Sequence, residues 1–157
     1  MRHVTELQAR QKLSQIWEEK MFKTIALPVD LAHKTDLSRG ITVAVDLAKH
    51  YDASLAFVGV TGRGPGSVAR SPEGFTQELE KFASEVGTLY GLDIGFKSVI
   101  SNDPAIDLED RVGESVKELN ADLVVMPSHK PGLLEHVFAS HAGRFASHSD
   151  LSVFIVR

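Results

Sequence analysis

Five short apolar runs, alternating with stretches of helical periodicity, constrain the fold of this chain more than any other feature of its sequence. The runs are residues 24–29, 54–60, 94–100, 122–126 and 151–156. Several are β-branched and apolar at consecutive positions, the pattern of strands covered by helices on both faces. The run 94–100 is interrupted by Gly95, Lys97 and Ser98 and reads as an edge strand. Between the runs, Leu37, Ile41, Ala44 and Ala48 recur at helical spacing, as do Phe75, Leu79, Phe82, Val86 and Leu89. A third stripe, Leu108, Val112, Val116 and Leu119, is opened by Asn102-Asp103-Pro104, a cap followed by a first-turn proline. A short last helix is expected over 140–147. Strands alternating with helices demand parallel pairing through right-handed crossovers. The predicted fold is therefore α/β: a three-layer α/β/α open parallel sheet of five strands, Rossmann-like if the strand order is 3-2-1-4-5.

A chain of 157 residues can bury about 68–70% of its unfolded surface in one core. It contains no cysteine, which removes thiol catalysis, Cys-ligated zinc and iron–sulfur chemistry. Lys and Arg number 17 against 21 Asp and Glu, a net charge of −4 with no block of like sign. Such a balance lacks the basic face that nucleic acid requires. The longest apolar runs are strand-sized, far below the roughly 20 residues of a spanning helix. The first twenty residues are too polar for a secretory signal. The expectation is a cytoplasmic protein that engages neither membrane nor nucleic acid.

Two segments lie outside the alternating scheme. Residues 1–20 are expected to form a helical extension with Val4, Leu7, Leu13, Ile16 and Trp17 roughly on one side, packed on the domain, on a sister subunit or, as a sharper reading, on a partner. Residues 61–74, rich in Gly, Pro, Arg and Ser, are expected to form a long loop acting as a lid or mobile region.

Ligands of open α/β sheets bind outside the carboxyl ends of the strands, where strand order reverses. In the predicted order, that point lies between the first and fourth strands. These end in Leu27-Pro28-Val29-Asp30 and Met126-Pro127-Ser128-His129-Lys130-Pro131-Gly132. Ser128, His129 and Lys130 can each offer a hydrogen bond or positive charge to phosphate. Ser140, at the start of the last helix, could add its hydroxyl and amide. The same stretch reads equally as an ordinary loop with Ser140 as a plain cap. His129, His136, His141 and His148 lack the spacing that places two ligands on one helical face, so a zinc set is not expected. Neither a Gly-x-Ser-x-Gly elbow nor a Gly-x-x-x-x-Gly-Lys-Ser/Thr loop is present.

From Met21 to Arg157 the sequence resembles the universal stress proteins. Residues 21–30 are similar to that family's first strand, 120–126 to its fourth and 151–157 to its terminal strand, while Ser128-His129-Lys130-Pro131 is like the Ser-His-Arg-Pro variant of one ATP-binding branch. The resemblance implies a 1–20 extension and a 21–157 domain related to the adenine-nucleotide α-hydrolase fold. It implies a regulator that binds ATP, with or without Mg2+, and that is at most a slow ATPase. Carried over by position, Pro28, Val29 and Asp30 would lie along adenine and ribose, with Val60 and Met126 as further contacts to the base. Ser128, His129 and Lys130 would approach the phosphates, as would Ala139, Ser140 and His141, with Ala142 beginning the helix behind them. A homodimer through the 151–156 edge strand and a regulatory protein partner are further implications.

The glycine-rich signature of the family is altered. Pro127 and Lys130 replace the first two glycines, the spacing is one residue shorter, and Ala139 replaces the third. These departures keep open a nucleotide-free dimeric scaffold of the same fold. An α-hydrolase enzyme is the third reading, but Asp30-Leu31-Ala32-His33-Lys34-Thr35 stands where its serine-glycine loop would be.

Overall fold

The computed structural model describes residues 2–17, 21–127 and 151–157. Strands β1 (Thr24–Pro28), β2 (Ser54–Gly62), β3 (Ile94–Ser101), β4 (Leu123–Pro127) and β5 (Ser152–Val156) form one sheet in the order β3-β2-β1-β4-β5. Every pairing is parallel. Four α-helices accompany it among the described residues: α1 (Arg2–Trp17), α2 (Ser38–Tyr51), α3 (Pro72–Tyr90) and α4 (Pro104–Glu118). A 3-10 helix, Leu31–Leu37, joins β1 to α2. The expected strand order and the edge position of β3 both hold. The helix expected over 140–147 lies outside the described residues.

Alternation along the central strands splits the core into two layers. Ile25, Leu27, Leu55, Phe57, Leu123 and Val125 face α2 and α3, while Ala26, Val58, Val124 and Met126 face Val112 and Val116 of α4. Ile25, Leu27 and Phe57 are wholly buried, each burial contributing about 1.5–3 kcal/mol. Cap chemistry sets the helix starts. Asp103 accepts the Ala105 N–H at 3.1 Å ahead of Pro104, as the sequence predicts. Ser71 accepts the Gly74 N–H at 3.1 Å ahead of Pro72. At the opposite end of the sheet, both oxygens of Asp122 accept backbone N–H groups, from Lys23 at 2.8 Å and Thr24 at 3.1 Å.

Three expectations are corrected. Leu89 is 76% exposed; Tyr90 packs on the core instead, because the buried arc of α3 is centred near Leu79, Ala83 and Val86 and Leu89 falls outside it. Leu37 precedes α2, closing the 3-10 helix. In α1, Leu7 and Leu13 are 64% and 50% exposed and residues 5–14 face solvent, so of the surfaces expected for this stripe the domain itself is not the one these residues pack on. The side chains of Val4, Ile16 and Trp17 lie outside the described residues. No helix among the described residues is long and apolar enough to cross a membrane.

Candidate functional site

A fork in the sheet positions the site. β1 follows β2 along its whole length, and Val29 N–H donates to Val58 O at 2.8 Å beyond it. Its register with β4 is confined to Ile25 opposite Leu123 and Ala26 opposite Val124. Past Ala26 the two strands part, at the reversal of strand order where α/β sheets hold ligands. A cavity of about 400 Å3 opens at this end, within the range of small-molecule pockets.

Its lining comes from five places. The end of β1 and the turn after it give Pro28, Val29, Asp30, Leu31 and Ala32. β2 gives Val58, Val60, Thr61 and Gly62; the 63–71 loop gives Gly66, Ser67, Val68 and Ala69. Phe75 of α3 and Pro104, Ala105, Leu108 and Val112 of α4 complete it. Gly59 admits this packing: a Cβ there would stand 2.9 Å from Phe75 Cε1 and 3.0 Å from Leu79 Cδ2. The result is an apolar slot with few hydrogen-bonding groups.

Asp30 is the one charged side chain lining it among the described residues. Its Oδ1 accepts the Ala32 N–H at 2.9 Å, capping the 3-10 helix, and its Oδ2 lies 2.8 Å from His33 Nδ1. The hydrogen bond to Asp30, and then its negative charge, raise the His33 pKa above the ordinary value, with Asp36 adding to this against a small opposing effect of desolvation. The carboxylate is therefore held in place yet remains 38% exposed. It can still accept hydrogen bonds from hydroxyl groups of a ligand.

The expected long loop is shorter than the sequence suggested. β2 extends through Gly62 and α3 begins at Pro72, because Thr61 and Gly62 pair with Ile100 and Ser101 and Ser71 caps the helix. The remaining residues 63–71 are folded against the cavity. Gly66 N–H donates to Ala69 O at 2.8 Å, Val68 and Ala69 pack on the core, and Arg63 Nε donates to Asn102 Oδ1 at 2.7 Å.

Of the residues assigned to a site from the sequence, Pro28, Val29, Asp30 and Val60 come together around the cavity. Met126 is 2% exposed and is not among the described lining residues. It alternates onto the α4 side, packed with Val58 and Val112 beneath the slot. Ser128, His129, Lys130, Ala139, Ser140, His141 and Ala142 lie outside the described residues. Sequence reasoning missed Val68, Ala69 and Phe75, and the contribution of α4 through Pro104, Ala105 and Leu108. The signal for α4 was present in the Asp103-Pro104 start, which sets that helix's first turn at the carboxyl edge of the sheet. No group of three His, Asp or Glu side chains among the described residues could hold a metal ion.

Comparison with known proteins agrees with this architecture. The profile of the universal stress protein family matches residues 21–157. Universal stress protein G of Salmonella typhimurium (strain LT2) is 30% identical over 149 residues, covering 87% of this chain and 100% of its own length. Among solved structures, a universal stress protein in complex with cAMP aligns with a TM-score of 0.58 at 20% identity, covering 87% of this chain and 97% of that one. The universal stress protein from Archaeoglobus fulgidus in complex with dAMP gives a TM-score of 0.55 at 15% identity, covering 87% and 99%. Fold, strand order and family profile converge: the chain belongs to the universal stress protein family.

Proposed function

We propose that this chain binds an adenine nucleotide, ATP foremost, in the cavity at the fork of the sheet, and acts as a nucleotide-dependent regulatory module. The observation that carries this reading is an apolar slot at the carboxyl ends of β1 and β2, beside the strand-order reversal, with one fixed carboxylate at its edge. Val29, Val60 and Leu108 suit a purine ring. Asp30 suits a ribose, whose hydroxyls would donate to its oxygens. The fold neighbours in complex with cAMP and dAMP support the same ligand class. In this reading Ser128, His129, Lys130, Ala139, Ser140 and His141 supply the phosphate contacts, with Mg2+ on the phosphates and Ala142 behind them. The domain is 21–157, with 1–20 as an extension. The edge of β5, the outermost strand among the described residues, where Phe154 and Ile155 are each 45% exposed, is the proposed homodimer seam and would transmit occupancy to a protein partner.

One observation favours the alternative, a nucleotide-free scaffold. Pro127 has no N–H to offer a phosphate, and it packs on α2, where a Cβ at Gly40 would stand 2.6 Å from its Cγ. Calorimetric titration with ATP, ATP plus Mg2+, AMP and cAMP separates the two. Binding that weakens about ten- to a hundredfold in Asp30→Asn, the loss of hydrogen bonds to a charged acceptor, and that weakens in Lys130→Ala, is expected. No binding of any of the four, and no adenine nucleotide released on denaturing the purified protein, would leave the scaffold.

A further inference from the structure

The exposed half of the 63–71 loop has little packing to hold it. Residues 63–67 face solvent, and a Cβ at Gly64 would meet nothing within 4 Å. Yet the last two of these, Gly66 and Ser67, wall the cavity together with Val68 and Ala69. Among the described residues, one side-chain hydrogen bond ties this half to another element: Arg63 Nε to Asn102 Oδ1, 2.7 Å. Asn102 immediately precedes the Asp103 cap, and Pro104 and Ala105 line the cavity from α4. The bond thus joins two walls of one cavity across the carboxyl ends of β2 and β3. Arginine suits the task, since its planar guanidinium fixes the donor direction.

We propose that Arg63 is a positioning residue: by donating to Asn102 it latches the 63–71 loop in place as a wall of the cavity and slows the escape of a bound nucleotide. The latch itself needs only the geometry above; its effect on escape rests on the nucleotide reading of the site. Opening the latch frees the loop locally without unfolding the sheet, the low-energy kind of opening that amide exchange detects.

Two measurements on the full chain test this. Hydrogen–deuterium exchange of ligand-free protein, read on peptides covering 63–71, is expected to quicken about two- to tenfold in Arg63→Ala and in Asn102→Ala, the range of one exposed hydrogen bond. The double variant should be no faster than either single one, because both remove the same bond. Asn102→Asp keeps the acceptor and should retain the wild-type rate, which a merely structural role for position 102 would not predict. Release of radiolabelled ATP, chased with unlabelled ATP, should quicken by a similar factor in both alanine variants. Unchanged exchange in Arg63→Ala, or additive effects in the double variant, would overturn the latch. Faster exchange with unchanged ATP release would overturn its control of escape. A wild-type chain that binds no ATP sinks the nucleotide reading and the escape step with it, while the exchange comparison still decides the latch.

Discussion

Asp122 fastens three strands at the end of the sheet opposite the cavity. Its side chain accepts Lys23 N–H at 2.8 Å and Thr24 N–H at 3.1 Å, its own N–H donates to Thr24 O, and its carbonyl accepts Ser152 N–H. Asp122→Ala spares the two backbone bonds and removes the two side-chain ones. Lys23 is exposed enough for water to replace its partner, so that bond is worth about 1 kcal/mol or less. Thr24 N–H is half-buried, and leaving it unpaired costs about 1–2 kcal/mol. The expected loss is about 1–3 kcal/mol, or about 2–12 °C in Tm for a domain of this size. Asp122→Asn sharpens the test. Its amide can accept from one N–H but turns an NH2 toward the other, so it should lie within about 1 kcal/mol of alanine. Urea denaturation followed by circular dichroism reads both variants, with an unchanged m-value showing that the folded and unfolded states are otherwise alike. An alanine variant within about 0.5 kcal/mol of wild type, an ordinary surface effect, would refute the reasoning. So would an asparagine variant equal to wild type.

Two further perturbations act at the cavity. Gly59→Ala brings a Cβ to 2.9 Å from the Phe75 ring; the strained contact should cost about 1–3 kcal/mol by thermal or urea unfolding, and the displaced ring should weaken ATP binding in calorimetry. Because the His33 pKa is raised in the folded chain, the His33–Asp30 contact favours folding below about pH 6.5, the unfolded histidine value. That contribution fades as pH climbs through the raised folded value. The Tm difference between wild type and His33→Ala should therefore be larger at pH 6 than at pH 8, and the proton NMR titration of His33 should move back toward the unfolded value in Asp30→Asn.

The sheet was legible because runs such as Leu55-Ala56-Phe57-Val58 are short, bounded by turn signals and apolar at consecutive positions, as a strand covered on both faces needs. Interruptions at Gly95 and Lys97 marked the edge for the complementary reason: Lys97 reaches out to pair with Glu118 of α4. The floor of the site was legible too, since Pro28, Val29 and Asp30 stand at a strand end whose place follows from topology. The walls were not. Ser71-Pro72 is as good a helix start as Asp103-Pro104, but the Gly- and Ser-rich residues before it masked the signal and lengthened the expected loop. Leu89 satisfied the helical spacing without being buried, because it stands at the margin of the arc centred near Leu79, Ala83 and Val86 that packs on the sheet. The family resemblance implied a base contact for Met126, but strand parity turns its side chain into the α4 layer.

The cavity takes Phe75 from one layer of helices and Leu108 and Val112 from the other. A molecule lodged there would touch both halves of the core at once, acting as a rivet through the sheet and not as a patch on one side of it. Occupancy at a hundred times the dissociation constant adds about 2.7 kcal/mol to the folded state. Because the rivet spans both layers, that gain should appear as a rise of the whole melting transition and as slower amide exchange on α3 and α4 alike.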